Sequence, residues 1–229
     1  MVANAKVSSA AMVMLLLSLI PLTGQESMTR DADLDHLILA TTNLTGGIEE
    51  FTRLTGVVPR RGGQHPGRGT ENALVSLGSG HYLEILAPVA PMGDTASNEL
   101  TPAGWALGTR DMPGLIDRVR AAGFEIPGPV PGSRRTPDST LLQWRTASTA
   151  GPGLENAPFF IEWAVDTPHP SSTAPGGCRL ATMEVVAPDT TRLHDLLKAA
   201  GHPVALRAGS PGGLRFSLDC PRGRVSFSW

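Results

Sequence analysis

The sequence predicts an α+β fold in which one plan, a strand, a helix and then antiparallel strands, recurs about three times. Residues 34–56, 104–123 and 178–201 share a layout: an apolar strand-like run, a capping residue (Asn43, Asp111, Asp189), a helical stretch and a terminal glycine. Each helical stretch has an apolar face at helical spacing. Leu44, Ile48, Phe51 and Leu54 form the first, Leu115, Ile116 and Val119 the second, Leu193, Leu196, Leu197 and Ala200 the third. Strand candidates separated by turn residues follow each helix: 72–77 and 81–87, 140–145 and 159–165, 214–219 and 224–229.

The helix ends are signalled locally. Pro113 suits the first turn of the second helix, where its missing N–H costs nothing. Gly56, Gly123 and Gly201 suit left-handed caps. The first two units start about 70 residues apart, too far for a solenoid, so duplicated modules are expected. Pro-, Ala- and Gly-rich connectors at 88–103 and 147–158 separate strands, and 167–177 reads as a linker before the third unit.

Composition bounds the function. Of 229 residues, 41% are hydrophobic and 17% charged, a globular balance. The net charge of −2 supplies no field for nucleic acid, so no nucleic-acid partner is expected. The pairs Arg60-Arg61 and Arg134-Arg135 lie beside Gly and Pro and read as solvated loops. Residues 10–22 are almost wholly apolar, follow Lys6 and precede Thr23-Gly24, the layout of a signal peptide or N-terminal anchor over 1–30. A secreted or periplasmic location follows, or a cytoplasmic one if translation starts at Met28. No other membrane contact is expected. Cys178 and Cys220 either pair in an oxidising compartment or stay as free thiols.

The strand 34–40 (Leu-Asp-His-Leu-Ile-Leu-Ala), with its helix and the later His81-Tyr82-Leu83-Glu84-Ile85, resembles the glyoxalase-like branch of the vicinal oxygen chelate superfamily. So do His65-Pro66-Gly67-Arg68-Gly69-Thr70-Glu71-Asn72, the strand Phe159-Phe160-Ile161-Glu162-Trp163, the trailing His169-Pro170 and the closing Pro221-Arg222-Gly223. The resemblance covers about residues 33–229. It implies paired βαβββ modules, here 31–90 and 104–166 of a domain spanning 31–166. Their sheets curl into an open cup, and a third, partial module occupies 178–229. It also implies a divalent metal (zinc, nickel, iron or manganese) in the cup, chelated by vicinal substrate oxygens. The matching ligand positions are His36, Glu84 and Glu162, and Glu162 is also a catalytic candidate. The fourth falls at Trp105, which cannot ligate. The third module offers Met183 and no carboxylate on its last strand, so it reads as structural.

Residue chemistry supports a site without fixing its use. His36 lies in an apolar strand, where a neutral imidazole is either a metal ligand or a core histidine bonded to a carbonyl. Glu84 and Glu162 sit in apolar strands, where a carboxylate is costly unless a cation or an arginine offsets it. His65, read in a Gly-rich loop, is the candidate acid–base group. His169 follows the Glu162 strand closely, while His81, His194 and His202 read as solvated. Trp105 and Trp163 are candidate floor residues of an apolar pocket. Two functions are open: a metal-dependent lyase, isomerase or dioxygenase-like enzyme acting on a small oxygenated molecule, and a metal-free binding protein of the bleomycin-resistance kind. A homodimer is also open, since many relatives pair.

Overall fold

The structure, a computed structural model, describes residues 32–78, 80–90, 98–202 and 204–229. The signal-peptide expectation falls outside them. No helix among the described residues is long and apolar enough to cross a membrane.

Strand β1 (Ala32–Ala40) leads into helix α1 (Leu44–Thr55) and strands β2 (Arg60–His65), β3 (Thr70–Gly78) and β4 (His81–Pro88). The plan repeats as β5 (Thr101–Thr109), α2 (Met112–Ala121), β6 (Val130–Arg135), β7 (Leu141–Ser148) and β8 (Phe159–Trp163). These strands form one curled eight-stranded sheet in the order β2-β3-β4-β1-β5-β8-β7-β6. Each first strand pairs in parallel with the last strand of its own module, β1 with β4 and β5 with β8, and β1 and β5 join antiparallel. The two modules are therefore arranged alike about the β1–β5 junction.

Alternation along the strands sets the two faces of the sheet. Leu37 and Leu39 of β1, Leu83 and Ile85 of β4, and Phe160 of β8 are fully buried beneath the helices. Their alternates His36, Ile38, Tyr82, Glu84, Phe159 and Ile161 face the concave side. Helix α1 is capped by Asn43, whose side chain accepts from the Gly46 N–H. It stops at Gly56, at φ 79°, where a side chain would be strained. Asp111 caps α2 in the same way.

The sheet nearly closes where β2 approaches β6. Arg134 donates from Nη1 to the Gly62 carbonyl across this seam. A Cβ on Gly63 would lie 2.2 Å from the Arg135 carbonyl oxygen, and its φ is +123°, so only glycine lets the backbones come this close. The expectation that both arginine pairs are solvated loops is corrected here. Both pairs lie in strands, and Arg134 is only 3% exposed. Gly and Pro beside them mark a seam between strand edges, not a turn.

A third unit follows a short helix α3 (Pro170–Thr173): β9 (Arg179–Ala187), α4 (Thr191–Ala199), β10 (Leu206–Ala208), β11 (Gly213–Cys220) and β12 (Gly223–Ser228). Its sheet runs β10-β9-β11-β12, so its first strand is flanked by two strands of its own unit, whereas β1 and β5 each pair with one strand of their own module and with each other. Thr190 stands at the α4 cap, and the adjacent Asp189 carboxylate accepts from the Thr191 N–H. Asp219 pairs with Arg179, which brings the adjacent Cys178 and Cys220 together in a disulfide. Phe227 stacks on Phe51 of α1, with centroids 6.3 Å apart, and ties this sheet to the first module. His202 is buried and donates from Nδ1 to the Ala32 carbonyl at 2.8 Å, contrary to its solvated reading. His81, partly buried, bonds the Leu34 carbonyl. Both histidines serve main-chain carbonyls at sheet ends, a role hydropathy does not reveal.

Candidate active site

The concave face encloses a cavity of about 350 Å³. Its polar side holds His36 from β1, His65 from β2, Asn72 from β3, Glu84 from β4 and Arg134 from β6. Trp144, Phe159, Ile161 and Trp163 from β7 and β8 form an apolar, largely aromatic wall. The modules thus divide the work: the first supplies most of the ionisable groups, the second the rings.

Glu84 is at the centre of the polar side. Its Oε2 lies 3.6 Å from Nε2 of His36, and its Oε1 lies 3.7 Å from Nε2 of His65. The Asn72 amide donates to Oε1 at 2.6 Å and fixes the carboxylate. All of these groups except His65 are less than a tenth exposed. The Nδ1 of His65 meets the Thr70 hydroxyl at 3.0 Å.

A bulge in β1 places the next partner. Leu34 pairs with Leu107 and His36 with Ala106, so Asp35 is an extra residue on its strand. Its carboxylate meets Nδ1 of His36 at 2.6 Å, Nε2 of His169 at 3.0 Å and the Trp163 indole N–H at 3.0 Å. Burial pushes the Asp35 carboxyl up, but the hydrogen bonds from His169 and His36 outweigh it and hold the group below the usual carboxylate range. As an ionised acceptor, Asp35 keeps a proton on Nδ1 of His36 and turns Nε2 towards Glu84. The imidazole also stacks on Tyr82, with centroids 4.5 Å apart.

Several electrostatic shifts follow from this packing. Burial pushes the His65 imidazole below its ordinary value. Glu84 opposes that, and Arg134 and Arg68 add to it. Burial, with Asp35 and Glu84 nearby, raises the Tyr82 phenol well above its usual range, so it stays neutral. Burial lowers Arg134, while Tyr82 and Glu84 partly offset the effect.

The structure brings His36, Glu84 and His65 together and sets Glu162 apart. Glu162 lies on the opposite face of β8, where it pairs with Arg145 and accepts from the Met112 N–H at 3.1 Å. Its assignment as metal ligand and catalytic residue is therefore corrected: in β8 the residues at 159, 161 and 163 face the cup, and 162 serves the start of α2. Trp105 is likewise turned into the core, bonding the Asn156 carbonyl, so only Trp163 of the two candidate floor residues lines the cup. Beside His36 and Ile38, β5 offers Ala106 and Gly104. Asp35, Asn72, Trp144 and Arg134 were missed as site residues. The adjacent polar pair Asp35-His36, breaking an apolar alternation, was the available signal for the bulge.

The second module thus presents no ligand for the expected ion, and no three His, Cys, Asp or Glu among the described residues are grouped to hold a metal. The donors fit a two-residue seat on His36 and Glu84 and do not fit a four-ligand centre.

A curled sheet of paired βαβββ modules around a buried cup defines a glyoxalase-like protein. A family model described as "Glyoxalase-like domain" matches residues 34–201, and the chain belongs to that family, within the vicinal oxygen chelate superfamily. No curated protein matches. Among solved structures, a hypothetical protein from Staphylococcus aureus is similar at 17% identity and a TM-score of 0.57, covering 86% of this chain and 85% of its own. A mutant 4-hydroxymandelate synthase from Streptomyces coelicolor is similar at 17% identity and TM-score 0.47, over 87% of this chain and 62% of its own. Methylmalonyl-CoA epimerase from Mycobacterium tuberculosis is similar at 18% and 0.42, over 59% and 91%. At these identities the first likeness is one of fold, and the two weaker ones add nothing to it.

Proposed function

We propose that the chain is an enzyme that moves a proton on a small oxygenated molecule held in the cup. The observation that carries this reading is one carboxylate, Glu84, with an imidazole Nε2 facing each oxygen, at 3.6 and 3.7 Å, inside an aromatic-walled cavity. Burying a carboxylate and two imidazoles costs stability, and an apolar binding pocket gains nothing from it. Asn72 holds Glu84 as an acceptor. His65, kept neutral by burial, is placed to take or return a proton through Nε2. Asp35 holds His36 in place, and His169 and the Trp163 indole N–H in turn hold the Asp35 carboxylate.

One observation favours a second reading. His36, with its proton on Nδ1, and Glu84 turn two acceptors towards each other at 3.6 Å. A carboxylate behind an imidazole is also the support that metal-ligating histidines commonly have. In that reading His36 and Glu84 would hold a divalent ion, which would supply Lewis-acid polarisation of a bound carbonyl. A metal-free binding protein remains the alternative to any enzyme.

The test is proton wash-out in D₂O, followed by NMR, with methylglyoxal, hydroxyacetone and pyruvate. The expected result is exchange at carbon in at least one compound, reduced by about 10²- to 10⁴-fold in Glu84→Gln. Compounds that bind without exchange would sink the enzyme reading in favour of a binding protein. Adding Mn²⁺ or Zn²⁺ separates the two enzyme readings: exchange that needs the ion, with ion binding lost in His36→Ala, supports the second.

A further inference from the structure

We infer that Arg134 is the anchor for an anionic group of the cup's ligand, so that the molecules taken are monocarboxylates with a planar, apolar body. This rests on the reading of the cup as a small-molecule site.

A guanidinium carries five N–H donors in a fixed fork. Arg134, 3% exposed, uses one: its Nη1 donates to the Gly62 carbonyl. Its other donors meet no acceptor among the described residues, and neither Glu84 nor Tyr82 forms an ion pair or hydrogen bond with it. These donors open onto the cavity rather than being sealed in the core, so an anion entering the cup meets a guanidinium that is shielded from bulk water and has donors to spare. The side chain lines the cavity together with Trp144, His65, Thr70 and Thr146. Arg68, at the β2–β3 turn, adds a second positive charge at the rim.

The rest of the cavity fixes the shape and charge of the ligand. The planar fork matches a carboxylate through two parallel hydrogen bonds. Trp144 and Trp163, with centroids 5.4 Å apart, and Phe159 offer ring faces and edges to a flat apolar body. About 350 Å³ accommodates one or two rings. Glu84, on the same polar side, repels a second anionic group, which favours monoanions over dianions.

The experiment titrates the full chain with naphthoate and with its neutral near-isostere naphthamide, and repeats both with benzoate and benzamide. Tryptophan fluorescence and calorimetry report binding. The wild type is expected to prefer each acid over its amide by about 10- to 100-fold. Arg134→Gln is expected to erase that preference while holding the amides within about threefold, and Arg134→Lys to keep part of it. If Arg134→Gln does not fold, the wild-type comparison and Arg134→Lys still decide. Amides that bind wild type as tightly as the acids, or a preference that survives in Arg134→Gln, overturn the anchor alone. Failure of every probe at millimolar concentration overturns both the anchor and the small-molecule reading of the cup.

Discussion

The Asp35 carboxylate and the His36 imidazole, neighbours in sequence, meet at 2.6 Å because a bulge in β1 makes Asp35 the extra residue beside His36, which keeps its place on the cup face. The same carboxylate binds His169, on the segment that joins the eight-stranded sheet to the third unit. Orientation of the cup's first imidazole therefore depends on His169, 134 positions beyond Asp35.

Asp35→Asn replaces an ionised acceptor of three donors by an amide that can accept through one oxygen only. Removing a buried hydrogen-bonded partner costs about 1–3 kcal/mol. The expected outcome is a loss of that size in denaturant unfolding, together with loss of the His36 Nδ1–H signal in nitrogen-edited NMR. An unchanged midpoint and a retained signal would show that the carboxylate does not hold the ring.

His65 is expected to titrate below the ordinary imidazole value of about 6.5, because burial and two arginines disfavour its charged form. Removing one of those charges in Arg134→Gln moves the midpoint up, and removing the opposing one in Glu84→Gln moves it down. The linkage has a definite sign. With its folded pKa depressed, His65 supports the fold fully above about pH 6.5, and that support is lost as the pH falls towards the folded value. The wild type should therefore lose stability relative to His65→Gln as the pH drops below 6.5. NMR titration of the ring, with unfolding curves at several pH values, checks both statements.

Much of this was legible in the sequence, and the limits have physical causes. Alternation in β1 and β4 was enough to put His36 and Glu84 on one face, because both strands run from a buried core side to a lined cavity side. The same period misplaced Glu162 through the family match: its strand lines the cup with 159, 161 and 163, and nothing local marks which alternate faces in. Asp35 escaped because a bulge is visible only as a pairing shift between two strands. Arg134 escaped because its burial arises from the approach of β2 to β6, an interaction between segments 72 residues apart.

Glu162→Gln tests the corrected assignment. The ion pair with Arg145 is part-exposed, and pairs of this kind contribute at most about 1 kcal/mol. The amide oxygen can still accept from the Met112 N–H at the start of α2. A stability loss of about 1 kcal/mol or less is expected in chemical unfolding, with proton exchange and carboxylate binding unchanged. A loss of either activity comparable with that of Glu84→Gln would return Glu162 to the cup.

The disulfide between Cys178 and Cys220 spans 42 positions and closes a loop that holds β9, α4, β10 and β11. Closing a loop of this length removes about 4 kcal/mol of chain entropy from the unfolded state. Cys178→Ser with Cys220→Ser should therefore unfold at lower denaturant concentration, by an amount approaching that figure. The third sheet meets the first module through Phe227 on Phe51, on the helix side and away from the cavity. Carboxylate binding measured well below the transition should consequently match the wild type. If binding falls with the disulfide removed while the chain remains folded, the third sheet shapes the cup as well as stabilising the chain. Hydrogen exchange at β1 and β4 would then show where the connection runs.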